Sequence, residues 1–294
     1  MPILILLLGL CGVASAALLA RYGLAAGVSP AALSAWRLTV ASAALIATAA
    51  ILRLPRIARP DLWRVALAGV FLALHFSTWI ASLEYVSVTR STLLVATSPL
   101  WAGLLGLAVP SLRPRPIFWL GLAFAAAGTV LFTSQSSAAA PKGPPWMGDL
   151  LAIVGAIAIV PYLLLSQSVQ KKTGTLMTVT GLYAAAALAL WLYLLPAGQA
   201  NIPHSTNAWG SIVGMAVFAQ LLGHSSLNAS LRHFSAAQVA TATLLEPVFA
   251  ACLAWIFLGE RIGGLQVLGG GVLLAGVGLG LRSETEKGIT PVIE

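Results

Sequence analysis

Apolar runs of about twenty residues recur ten times along this chain, bounded by Pro, Gly and isolated charges. A helix rises about 1.5 Å per residue, so each run is long enough to cross the roughly 30 Å hydrocarbon core of a bilayer. Backbone in that core must satisfy its own hydrogen bonds, which leaves helices and closed barrels as the only spanning forms. Barrel strands alternate apolar and polar residues over roughly ten positions, and these runs do not alternate. Only 8% of the 294 residues are charged while 59% are hydrophobic, against about 25% charged in a soluble domain. That charge cannot coat a water-facing surface. The chain reads as an all-α polytopic membrane protein.

The runs place helices at roughly 3–22, 31–52, 62–83, 89–109, 116–133, 148–169, 175–195, 208–230, 236–258 and 263–281. Residues 3–16 imitate a signal peptide, with Ala14-Ser15-Ala16 in the place of a cleavage site, but the basic region that precedes such a segment is missing. A retained first helix is the better reading. Cys11 and Cys252 both fall in apolar runs and are expected to pack as small hydrophobes, with no disulfide or metal framework. The net charge of +8 is scattered through short loops rather than gathered in a patch, which argues against nucleic acid.

The scatter carries topology instead. With the N-terminus inside, the inside segments hold eleven basic residues: Arg53, Arg56, Arg59, Arg64, Arg113, Arg115, Lys171, Lys172, Arg232, Arg282 and Lys287. The outside segments hold four, Arg21, Arg90, Lys142 and Arg261, and Arg37 lies within a span. This excess predicts both termini in the cytoplasm. Trp63, Trp119, Trp146 and Trp209 fall at span starts, as interfacial belt residues do.

A Ser/Ala/Pro stretch near the middle divides the chain into 1–134, a connector 135–147, a second half 148–282 and a tail 283–294. At an offset of 148, Ser82 lands on Ser230, Pro99 on Pro247, Arg113 on Arg261, Gly121 on Gly269 and Gly128 on Gly276. Five matches at one offset close to half the length point to duplication. Five spans per half is odd, so the second half enters the membrane opposite to the first. The expectation is two inverted five-helix repeats with a site between them near the midplane, exposed to either side in turn by rocking.

Ser29-Pro30, Trp36-Arg37-Leu38, the run Leu83-Glu84-Tyr85-Val86-Ser87-Val88-Thr89 and Ser98-Pro99-Leu100-Trp101 resemble one repeat of the EamA family of the drug/metabolite transporter superfamily. Phe234-Ser235-Ala236-Ala237, Leu245-Glu246-Pro247-Val248 and Phe257-Leu258-Gly259-Glu260-Arg261 resemble the same repeat in the second half. The resemblance implies ten helices in two inverted repeats and transport of small metabolites, often outward. Within the family, the chain looks most like the bacterial aromatic amino acid exporters of the inner membrane. One departure stands out: the first half has Leu112-Arg113-Pro114-Arg115 where the second has Gly259-Glu260-Arg261, so that loop's role does not carry over between halves.

Polar residues deep in spans are costly and usually face a cavity or another helix. His75, Trp79 and Ser82 recur at helical spacing in the third span, Ser91, Ser98 and Trp101 in the fourth, and Gln220, His224 and Asn228 form a stripe in the eighth. The ninth adds Thr243 and Glu246. The resemblance also brings the sixth helix to the cavity, with Tyr162 and Ser166. The expected substrate contacts are His75, Trp79, Ser98, Trp101, Tyr162, Gln220 and Asn228, the aromatic faces suiting an aromatic or amphipathic solute. Glu246 and His224 are candidates for gating or coupling, as are the intrahelical prolines Pro99, Pro161 and Pro247, each of which frees a carbonyl that only protein or a wet cavity can satisfy. Arg37 is assigned a structural role, either snorkelling outward or pairing with Glu246.

The fifth span and most of the tenth are almost devoid of polar side chains and are expected to face lipid or act as supports, with Gly276 and Gly280 in small-xxx-small spacing. No HExxH, Walker-type loop or GxSxG occurs, so an enzyme, a metal site or a cofactor is not expected. The alternatives are a carrier of hydrophobic or cationic compounds, drugs included, and a non-transporting scaffold or receptor. Facilitated diffusion is slightly favoured over proton coupling. A monomer is expected because the duplication supplies both halves.

Overall fold

The computed structural model describes residues 2–108, 113–133, 143–200, 202–249, 252 and 263–282, and every regular element among them is helical. α1 (Pro2–Ala25) is interrupted at Ser15, whose hydroxyl donates to Gly12 O at 2.8 Å. α2 (Pro30–Ile51) opens with Ser29 accepting from Ala32 N–H and Pro30 at the first position, a cap and a pre-set φ that define its start. α3 (Leu62–Ser82) follows a short 3₁₀ turn. α4 is two pieces, Val88–Val95 and Ser98–Ala108. α5 (Pro116–Thr133), α6 (Pro145–Thr173) and α7 (Thr175–Leu194) are continuous. α8 (Thr206–Ser230) is π-helical over Met215–His224. α9 begins as Ala236–Ala242 and tightens into a 3₁₀ turn, Thr243–Leu245; α10 is Gly264–Arg282. Among the described residues, seven spans are long and apolar enough to cross a bilayer, and α5 and α10 supply shorter apolar stretches. Gly259, Glu260, Arg261, Lys142, residues 134–142 of the connector region and the tail 283–294 lie outside the described residues.

The inverted repeat is visible in how α5 meets α10. A Cβ on Gly121 would lie 2.8 Å from Gly276 O, and one on Gly276 would lie 2.7 Å from Gly121 O. A Cβ on Gly128 would lie 2.7 Å from Gly269 O, and the reciprocal distance is 2.9 Å. Gly121 corresponds to Gly269 and Gly128 to Gly276, so each glycine touches the counterpart of the other. Such reciprocity is what a two-fold axis between two equivalent helices produces, and only residues without a Cβ let the backbones come this close. The rest of the packing follows the same axis: α2 packs on α7, α3 on α6, and, equivalently, α8 on α1. α1, α3, α4, α6, α8 and α9 are thereby left around the centre.

Ion pairs fix which ends share a face. Asp61, buried before α3, accepts from Arg64 Nη1 at 2.6 Å and from Lys172 Nζ at 3.3 Å near the C-terminus of α6. At the other end of α6, Asp149 takes a two-pronged bond from Arg90, Nε at 2.7 Å and Nη2 at 2.6 Å. α3 and α6 therefore run antiparallel, held at opposite faces by separate pairs. Trp63 and Trp146 are exposed, whereas Trp209 packs its ring 5.2 Å from Trp36, which in turn meets Trp191 at 5.0 Å.

Candidate substrate-binding cavity

The side chains at the centre line a cavity of about 60 Å³ between the two repeats. His75, Phe76 and Trp79 reach it from α3, Thr92, Val95 and Ser98 from α4, His224, Leu227 and Asn228 from α8, and Ala240, Thr243 and Glu246 from α9, with α1 and α6 closing the sides. Five pairs of these are repeat equivalents: Phe76 with His224, Trp79 with Leu227, Thr92 with Ala240, Val95 with Thr243, and Ser98 with Glu246. The cavity lies on the pseudo-two-fold axis.

Breaks in α4 and α9 present Ser98 and Glu246. The α4 helix stops at Val95 and restarts at Ser98, so Pro99 sits at the start of the second piece, where a missing N–H costs least. The 3₁₀ turn Thr243–Leu245 occupies the equivalent place ahead of Pro247. Pro161 differs, lying inside an unbroken α6. Glu246 is half-buried and, among the described residues, takes no hydrogen bond or ion pair.

The π segment decides what α8 shows. A π-turn holds more residues than an α-turn, so positions four apart no longer lie one above the other. His224 and Asn228 face the cavity, while Gln220 turns away to accept from Arg37 Nη2 at 2.5 Å. Asn228 is a tied junction: its Nδ2 donates to Tyr162 Oη at 2.6 Å and to His224 O at 2.8 Å, and its Oδ1 accepts from Ser166 Oγ. Only one Oδ1 lone pair is left for a solute. Tyr162 is fully buried one layer behind the wall. Two glutamines of α6 hold the end of α8 in place, Gln167 donating to Leu231 O and Phe234 O and Gln170 to Asn228 O.

His75 Nδ1 lies 2.9 Å from Gly155 O. A carbonyl only accepts, so Nδ1 carries the proton and Nε2 is left for other partners. The His75 ring is near-parallel to Trp79 at 6.4 Å, and the His224 ring meets the Phe76 ring edge-on at 4.9 Å. Ser82 donates to Trp79 O at 2.6 Å, so the 2.6 Å contact with Ser91 is donated by Ser91. This ties α3 to α4 at the cavity's edge.

Of the residues expected to meet substrate, His75, Trp79, Ser98 and Asn228 line the cavity, together with Glu246 and His224. Tyr162 and Gln220 stand in the layer behind. Trp101 is off the wall, half-buried, its Nε1 donating to Thr97 Oγ1 at 3.1 Å. Arg37 neither snorkels nor pairs with Glu246; it is fully buried, with its guanidinium carbon 3.9 Å from the centre of the Phe76 ring. Phe76 and Thr92 also line the cavity; neither stands out by residue type, although Phe76 is one residue from His75 and equivalent to His224.

The EamA-like transporter family profile matches residues 1–134 and again 146–281. The chain belongs to that family. An uncharacterized transporter of Archaeoglobus fulgidus is 25% identical over 72% of this EamA-like chain and 73% of its own length. The uncharacterized transporters YyaM and YdfC of Bacillus subtilis are 26% and 27% identical, covering 85% of this chain and 83% and 81% of theirs. A protein of known crystal structure aligns with a TM-score of 0.74 over 97% of this chain and 98% of its own, at 18% identity, a likeness of fold. The EamA-like chain is thus a multi-pass membrane protein of a transporter family.

Proposed function

We propose that this chain carries small neutral amino acids, aromatic ones foremost, outward across the bacterial inner membrane by alternating access, as a monomer with both termini in the cytoplasm. The observation that carries the reading is the cavity on the pseudo-two-fold axis, lined by repeat-equivalent residues. Rocking two equivalent halves about such a site exposes it to each face in turn. A scaffold has no need to place equivalent residues around one hollow. Phe76 and Trp79 offer an aromatic wall, and the Glu246 carboxylate, unpaired among the described residues, suits an ammonium group. The volume of about 60 Å³ is well under the roughly 150 Å³ that accommodates benzene, so the two halves must part further to admit a ring.

Glu246 equally suits a lipophilic cation, so drug efflux is the second reading. Efflux from preloaded proteoliposomes separates the two, using labelled phenylalanine, tryptophan, alanine and a lipophilic cation with wild-type protein and Trp79→Ala. Movement of the aromatic amino acids that is reduced by the substitution supports the exporter. Movement of the cation alone assigns drug efflux, and movement of nothing by correctly folded protein removes the transport reading.

A further inference from the structure

Arg37 sits in the membrane interior at 0% exposure, and no acidic side chain pairs with it among the described residues. Its Nη2 donates to Gln220 Oε1, while Nε, Nη1 and Gln220 Nε2 are buried without a hydrogen-bond partner among the described residues. A buried cation with unsatisfied donors is among the costliest arrangements a protein keeps, and each such group calls for a physical account. The fork geometry narrows that account. Nη2 bears one N–H on each edge of the guanidinium, and Gln220 Oε1 takes one of them. With Nε and Nη1 both free, one complete two-pronged edge stays open, the shape that fits a carboxylate.

One ring lies between the face of the guanidinium and the cavity. The Phe76 ring covers the guanidinium at 3.9 Å and also lines the cavity, held there by the edge of His224. Gln220, on the same helix as cavity-lining His224, faces Arg37 from the layer behind the wall. We propose that Arg37 and Gln220 form an occluded carboxylate subsite for the transported solute, screened by Phe76, which swings aside as the solute enters. With the ring withdrawn from the guanidinium face, a carboxylate reaches the open edge, and the cation–π contact gives way to a stronger charge-assisted fork. With Glu246 on the far repeat taking the ammonium, the pair selects zwitterions over plain cations. This deepens the proposed function and rests on its placement of the solute in the cavity.

Ligand-induced thermal stabilisation and equilibrium binding to the purified full chain test it, using phenylalanine, benzoate and phenethylamine as probes. The expected result is that benzoate and phenylalanine bind wild-type protein, that Arg37→Gln weakens both by about tenfold or more, and that phenethylamine is unaffected by that change. Phe76→Ala is expected to speed benzoate association. If Arg37→Gln does not fold, Arg37→Lys serves: it keeps the charge, lacks the fork, and is expected to weaken benzoate and not phenethylamine. Failure of benzoate to bind wild-type protein, or equal loss of phenylalanine and phenethylamine in the Arg37 variant, overturns the subsite. Arg37-dependent benzoate binding by a protein that does not move phenylalanine sustains the subsite and rejects the amino acid reading.

Discussion

Ser98 and Glu246 face one cavity from equivalent breaks in two oppositely inserted helices, 148 residues apart in the chain. Duplication created the two positions as equals, and one of them now carries a charge. Glu246→Gln keeps the shape and removes that charge, so it is expected to weaken amino acid and amine solutes alike by about tenfold or more, the worth of a charge-assisted hydrogen bond. Ser98→Ala, the loss of a neutral hydroxyl, is expected to change affinity only about threefold to tenfold. The concentration dependence of efflux for both variants checks the asymmetry; equal effects would mean that the charge does not meet the solute.

The α5–α10 contact predicts that one substitution has opposite outcomes at two positions. A Cβ on Gly128 would come 2.3 Å from Leu273 N, whereas one on Gly271 meets nothing within 4 Å. Gly128→Ala is expected to destabilise by about 1–3 kcal/mol through forced separation of the helices, and Gly271→Ala to stabilise by up to about 1 kcal/mol through helix propensity. Thermal melts in detergent read both. A Gly128 variant as stable as wild type would show that the two helices are not held at this distance.

How far these features were legible in the chain depends on what each residue has to do. Gly121, Gly128, Gly269 and Gly276 and the paired Pro99 and Pro247 are constrained by backbone geometry, so the fold's symmetry shows as identities at a fixed offset. Cavity walls are less constrained. Phe76 looks like any apolar residue of α3, and nothing in its type announces that it screens Arg37. Gln220 misleads for a different reason: stripe reasoning assumes an α-helical pitch, and the π segment Met215–His224 turns it away from His224 and Asn228. Trp101 follows a break after Val95 that spacing alone does not reveal. Polar residues deep in spans thus marked the region, while their partners were set by pitch and by breaks.

The ion pairs at the two ends of α6 are expected to differ in strength. Asp61 is 3% exposed and serves both Arg64 and Lys172, whereas the Arg90 and Asp149 side chains are 54% and 24% exposed. Arg90→Ala is expected to cost less than about 1 kcal/mol, as exposed pairs do. Asp61→Ala is expected to cost more, because it leaves two cations facing each other beside a buried hollow. Chemical or thermal unfolding of the two variants side by side gives the order, and a larger loss from Arg90→Ala would reverse it.

Asn228 separates a positioning role from a binding one. Its amide joins Tyr162 on α6 to the His224 carbonyl on its own helix and receives Ser166, so it fixes the spacing of α6 and α8 beside the cavity. Asn228→Ala leaves the Tyr162 hydroxyl buried without that donor and is expected to lower stability by about 1–3 kcal/mol. Tyr162→Phe leaves one Asn228 N–H without its acceptor but keeps the amide's bonds to His224 O and Ser166, and is expected to cost less. A residue that only met solute would behave otherwise: its loss would raise the half-saturating concentration and leave the melting temperature unchanged. Measuring both quantities for the two variants distinguishes the roles, and an Asn228→Ala protein that melts like wild type would transfer this residue from the scaffold of the cavity to its ligand contacts.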